Sequence, residues 1–163
     1  MKMKIVEISQ VSDCLAEMVA LFRVELRSYK GIESKPNLDA GREEMDEYLS
    51  AGFPVFAAME DGKYAGYVVC RVDSEVVWVE SIFVKEEYRR HGVATALHSK
   101  AEEIAASYGE DTVYNYVHPN NHRMIAFLRK RGYTVLNLIE IRKPYQGEQP
   151  TQTICVGEHE FDY

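Results

Sequence analysis

The chain reads as an α+β fold, and three observations carry that reading. Val11, Leu15, Met18, Val19, Phe22 and Leu26 recur at helical spacing. Runs of β-formers joined by an Asp-Gly turn fill the middle of the chain. From Ala94 onward, helical and strand patterns alternate. All of this lies within 163 residues, a length that suits one compact domain spanning 1–163.

Each element has its own signal. A short strand at 4–8 precedes the amphipathic helix through Leu26, with Ser9 or Ser12 as its cap. The stretch 30–37 contains Gly31, Pro36 and Asn37 and reads as a loop before a second helix at 42–50, which Gly52 ends. Strands at 53–59 and 64–72 flank Glu60-Asp61-Gly62-Lys63, and a third at 76–84 follows Asp73-Ser74-Glu75, completing an antiparallel meander. Ala94, Leu97, Ala101, Ile104 and Ala105 share one face of a helix ending near Gly109. A strand at 112–117, a helix at 120–131 stopped by Gly132 and a strand at 133–142 come next. The β-formers of 151–163 predict a final strand or hairpin arm.

Composition narrows the function. The apolar share of 46%, the charged share of 28% and the mean hydropathy of −0.31 fit a globular rather than a disordered or membrane chain. No apolar run reaches the roughly 20 residues that span a bilayer, and no signal-peptide core follows Met1, so a cytoplasmic setting is expected. A net charge of −7 repels polyanions and argues against nucleic acid as partner. Cys14, Cys70 and Cys155 form no CxxC pair, and each is expected to pack as a small hydrophobe. The five histidines include no HExxH, so no metal site is expected. No cysteine lies in an activated pair, which argues against a covalent acyl-enzyme.

The most informative window runs from Trp78 to Thr95. An apolar strand enters a short charged turn that opens directly into an amphipathic helix. A helix start presents unpaired N–H groups and about half a positive charge, which favours phosphate. Gly92 and Ala94 leave room beside the backbone, and Arg89 or Arg90 adds charge, so a diphosphate is the expected guest. Both GxGxxG and GxxxxGK[ST] are missing, which argues against a dinucleotide fold and a P-loop. Glu80 interrupts the apolar strand and, if alternation holds, shares a face with Trp78 and Ile82. Burial there would raise its pKa and suit it to act as a general base, and the competing reading is a solvent-facing or Arg-paired strand Glu.

With Arg89, Gly92 and Ala94 in Arg-x-x-Gly-x-Ala spacing, the sequence resembles the GNAT superfamily of acyl-CoA-dependent N-acyltransferases. A second segment, Val117 through Tyr133, looks like the family's strand, Asn, helix and closing Gly-aromatic. The run Val79 to Val84 followed by Tyr88-Arg89 is most similar to the diamine and polyamine acetyltransferase branch.

The resemblance implies a GNAT fold, with a mixed, mostly antiparallel splayed sheet flanked by helices. It also implies acetyl-CoA as cosubstrate and direct transfer to a primary amine in a ternary complex. Ile82, Phe83 and Val84 match the strand edge that pairs with the pantetheine arm. Arg89, Arg90, His91, Gly92, Val93, Ala94 and Thr95 match the pyrophosphate loop, and Asn121 matches a cofactor-touching Asn. Glu80 matches the base of the polyamine branch. Leu128 stands where the family's general-acid Tyr is usual, so Tyr116, His118 or Tyr133 is left as a candidate acid, or none is needed. Arg23, Arg27, Tyr29 and Glu33 lie where the family shapes its acceptor pocket, and the competing reading is an ordinary solvated face. The acceptor is expected to be a small-molecule or peptide amine, and a homodimer is plausible from the family and the β-rich tail. Leu128 also motivates a competing reading, a non-catalytic acyl-CoA-binding regulatory module.

Overall fold

Left-handed two-residue turns set the sheet. Asp61 and Gly62 have φ of 48° and 79°, and Ser74 and Glu75 have φ of 49° and 69°. Such turns match the twist of antiparallel strands. They fold β2 (Val55–Glu60), β3 (Lys63–Asp73) and β4 (Val76–Val84) into the expected meander. The structure, a computed structural model, describes residues 2–163. It divides into two compact units, 1–118 and 119–163.

The first unit is built on a five-stranded sheet of order β1-β2-β3-β4-β5, in which β1 is Met3–Glu7 and β5 is Tyr114–Asn115. The first three pairings are antiparallel and β4–β5 is parallel. The sheet is therefore mixed and mostly antiparallel, as expected. β5 covers only two residues of the strand expected at 112–117.

Helix α1 (Asp13–Ser28) begins where the Ser12 side chain accepts a hydrogen bond from the Leu15 N–H at 3.3 Å. Helix α2 (Leu38–Ser50) begins four residues before its expected start, because the Asn37 side chain accepts from the Ala40 N–H at 3.0 Å. Leu15, Met18 and Val19 of α1 and Met45 of α2 join Val55, Ala57, Tyr67, Val69 and Phe83 in one core on one face of the sheet. Helix α3 (Val93–Ser107) buries Val93, Leu97, His98, Ala101 and Ala105 and packs against β2, β3 and β4.

Of the cysteines, only Cys70 behaves as a small hydrophobe. It is buried and its thiol is pushed up to about 12 by desolvation, whereas Cys14 and Cys155 are exposed.

The second unit holds α4 (His122–Lys130) and an antiparallel hairpin of β6 (Thr153–Val156) and β7 (His159–Asp162). The tail thus forms a complete two-stranded hairpin where a final strand or hairpin arm is expected. The strand expected at 133–142 is not formed. Val135-Leu136 and Leu138-Ile139 put apolar side chains next to one another, so alternation gives neither face a continuous apolar row, and Val135 is 89% exposed.

Backbone contact ties α1 to α2. A Cβ on Gly41 would lie 2.2 Å from the Ala16 carbonyl oxygen and 3.0 Å from the Ala20 nitrogen. Gly41→Ala should therefore lower the unfolding free energy by about 1–3 kcal/mol. Urea denaturation checks this, and an unchanged midpoint would show that the helices tolerate a wider separation.

Candidate active site

Two backbone features make the site. β4 and β5 pair only at Trp78↔Tyr114 and Val79↔Asn115. Past Val79 the β4 edge that faced β5 has no ladder partner, and it runs from Glu80 through Ile82, Phe83 and Val84. An unpaired strand edge offers N–H and C=O groups to an extended amide-bearing ligand.

That edge leads through a 3₁₀ turn at Glu86–Tyr88 into α3. Gly92 caps α3 with φ of 82° and has open space where a Cβ would stand. Arg90 also adopts a left-handed φ, 68°, which is strained for a residue with a Cβ. The first backbone bond of the helix runs from the Ala96 N–H to the Gly92 carbonyl at 3.0 Å. The N–H groups of Val93, Ala94 and Thr95 are thereby left at an open helix N-terminus. His91 and Arg90 are exposed beside it.

Arg89 has a structural task. Its Nε donates to the Val84 carbonyl at 2.9 Å, its Nη2 pairs with Glu25 of α1 at 2.5 Å, and its guanidinium lies 5.8 Å from the Phe83 ring centre. It braces the end of β4 against α1, with its charge already paired to Glu25.

Glu80 occupies a β-bulge. Val69 pairs with Ser81 and Cys70 with Val79, so Glu80 has no opposite number on β3. The bulge corrects the expected alternation. Ile82 lies opposite Val68 on the α3 side, while Ser81 lies opposite Val69 and Trp78 opposite Arg71 on the side that carries α1 and α2. Glu80 belongs to that second group. Its Oε2 accepts from Arg71 Nε at 3.2 Å, and both side chains remain 28% exposed. The expected desolvation is therefore replaced by an ion pair open to solvent. Arg71 Nη2 donates to the Tyr116 hydroxyl at 3.1 Å, and its guanidinium stacks 4.3 Å from the Trp78 ring centre.

The other candidates divide between the two units. Tyr116 is 58% exposed and joined to Glu80 through Arg71. His118 stacks on Tyr29, ring centres 6.0 Å apart. Asn121 belongs to the second unit, where its Oδ1 accepts from the Met124 N–H at 3.1 Å and caps α4. Leu128 is buried in the same helix. Among the described residues no group of His, Cys, Asp and Glu could hold a metal ion, and no helix is long and apolar enough to cross a membrane.

Sequence reasoning named Arg23 but missed the polar partners between the helices and the sheet. Arg23 of α1 pairs with Glu44 of α2, which also accepts from the Tyr48 hydroxyl. The buried Tyr67 and Ser81 hydroxyls are 2.8 Å apart. Burial, then the bond to Glu44, pushes the Tyr48 phenol up, and burial pushes the Tyr67 phenol up against the opposing pull of Ser81. Both phenols hold their protons more tightly folded than unfolded, so their contribution is complete below the ordinary phenol pKa of about 10 and is lost above it. Urea midpoints should fall as pH rises from about 10, and less steeply in Tyr67→Phe.

The comparisons agree with this geometry. Residues 18–133 match the family model described as the acetyltransferase (GNAT) family. An uncharacterized N-acetyltransferase of Methanocaldococcus jannaschii is 32% identical over 85 residues, which is 48% of this chain and 38% of that protein. The match therefore spans well under half of that relative's length. Among solved structures, the aminoglycoside N-acetyltransferase AAC(6')-Iy in complex with CoA superposes with a TM-score of 0.63 at 22% identity, over 87% of this chain and 95% of that one. The PaiA N-acetyltransferase of Thermoplasma acidophilum, in complex with coenzyme A, gives 0.65 at 18% identity, over 80% and 89%. These two likenesses establish the fold. With the family model covering most of its length, the chain belongs to the GNAT acetyltransferase family.

Proposed function

We propose that this chain, as one acetyltransferase domain, transfers the acetyl group of acetyl-CoA to a primary amine by direct attack in a ternary complex. The observation that carries the reading is the unpaired β4 edge running into the open N-terminus of α3. The amides of residues 90–95 would hold the diphosphate, and Ile82, Phe83 and Val84 would pair with the pantetheine arm. Glu80 would take the proton from the ammonium, directly or through water. The freed nitrogen attacks the thioester carbonyl, the C–N bond forms and the C–S bond breaks. Its Oε1 has no partner among the described residues and is the oxygen left open for this. Tyr116 and His118 lie in the same unit as candidate proton donors to the departing thiolate, and Asn121 is a further candidate cofactor contact.

The acceptor is read as a small cationic amine. Support comes from the net charge of −7 and from aminoglycoside acetyltransferases among the structural neighbours. The motif run through Val84 keeps a diamine or polyamine in the same class. A cytoplasmic setting and a homodimer belong to this reading.

Leu128 favours a second reading, a non-catalytic acyl-CoA-binding module, because it is a buried Leu at the usual acid position. Turnover separates the two. Spermidine, neamine, lysine and a short peptide amine are each incubated with acetyl-CoA while free thiol is followed, and release with at least one is expected. Acetyl-CoA at about 100 times its Kd should stabilise the fold by about 2.7 kcal/mol, read as a rise in Tm. Glu80→Gln should lower turnover by roughly 10²- to 10⁴-fold, and Gly92→Val should abolish the Tm shift. A Tm shift without turnover would favour the module, and no shift would sink both readings.

A further inference from the structure

Arg71 joins the two arms of the splay through hydrogen bonds to both. It projects from β3 opposite Trp78, two residues from the position where β4 bulges. Its Nε reaches across the bulge to Glu80 Oε2 at 3.2 Å, while its Nη2 reaches the Tyr116 hydroxyl at 3.1 Å, in the segment just past β5. The Trp78 ring, 4.3 Å from the guanidinium carbon, and the Tyr116 ring, 5.9 Å away, line the group's flanks. A planar fork held in this way has little rotational freedom left, so it fixes the direction of each group it touches.

We infer that Arg71 is a positioning residue for acetyl transfer, aiming the Glu80 carboxylate at the acceptor amine and holding Tyr116 beside it. The inference rests on the reading of Glu80 as the base. A bulge residue has no cross-strand neighbour to fix its side chain, and Glu80 is partly exposed, so without a partner it would sample several rotamers. Anchoring Oε2 leaves Oε1 to face the amine. Because the Tyr116 oxygen accepts from Arg71, its own O–H remains a donor. The arrangement therefore offers one proton acceptor and one proton donor on either side of a single fixed cation. In the balanced reaction the ammonium gives one proton to Glu80 before attack, the nitrogen gives up a second as the C–S bond breaks, and the departing thiolate takes up one from Tyr116 or solvent, so each turnover releases one proton net to solvent.

The fork geometry separates Arg71 from a generic positive charge. Lys in its place keeps the charge but offers one nitrogen, which cannot bond Glu80 and Tyr116 in the same directions. Met keeps a stem against Trp78 and removes both bonds.

The test is a double-mutant cycle in steady-state kinetics, using acetyl-CoA with the four amines named above and recording Tm for every variant. Arg71→Met should lower kcat about 10- to 100-fold and leave the KM for acetyl-CoA within about twofold. Arg71→Lys should recover part of the loss. In the Glu80→Gln background, Arg71→Met should cost less than about threefold more, because the residue acts through Glu80. If Arg71→Met does not fold, Arg71→Lys and Arg71→Gln carry the same comparison. Wild-type kcat in the folded Arg71 variants, or losses that multiply independently of an impaired Glu80→Gln, would overturn the positioning role and leave Glu80 as base. A loss confined to the KM for acetyl-CoA would also overturn it. A Glu80→Gln enzyme with unchanged turnover, or no turnover with any of the four amines, would instead remove the base reading and Arg71's role with it.

Discussion

The rest of the site depends on how briefly β4 and β5 stay together. Two pairs of residues hold them parallel, and then the strands part. A backbone edge without a partner must find one in water or in a ligand, because N–H and C=O groups left dry are costly. The divergence therefore creates the opening and also equips it with donors and acceptors in a row. The turn that follows points the same opening at a helix end whose first N–H groups are unspent. A long, amide-bearing ligand with an anionic tail matches that sequence of groups in order.

The bulge acts on the other side of β4. It turns two consecutive residues, Glu80 and Ser81, toward the face that carries α1 and α2. One remains partly in solvent and pairs with Arg71, while the other is buried against the Tyr67 hydroxyl. A single extra residue in the ladder thus puts a partly exposed carboxylate and a satisfied hydroxyl pair on one face of the sheet. The Trp78 and Tyr116 rings flank the Arg71 guanidinium that pairs with that carboxylate.

Much of this was legible in the sequence. The meander, its turns and the main helices follow from periodicity and turn residues, and the window from Trp78 to Thr95 places the loop and helix start correctly. Hairpin counting from Ser74-Glu75 sets Arg71 opposite Trp78, which already makes Glu80 its diagonal neighbour. The bulge itself was hidden, because burial still alternates along β4 while the faces change beneath it. The strand expected at 133–142 failed for a different reason. β-propensity there is high, but a strand exists only with a partner, and propensity does not supply one. The tasks of Arg89 were equally out of reach, since its carbonyl and carboxylate partners come from positions 84 and 25.

The contact at Gly41 reaches beyond the two helices it joins. With backbone pressed on backbone, α1 and α2 form a single plate laid over the sheet, and neither can tilt alone without parting that contact. Variation across this layer then has to be written in side chains such as Arg23, Glu44 and Tyr48. A lineage of such proteins would diversify its chemistry by repainting that plate rather than by bending it.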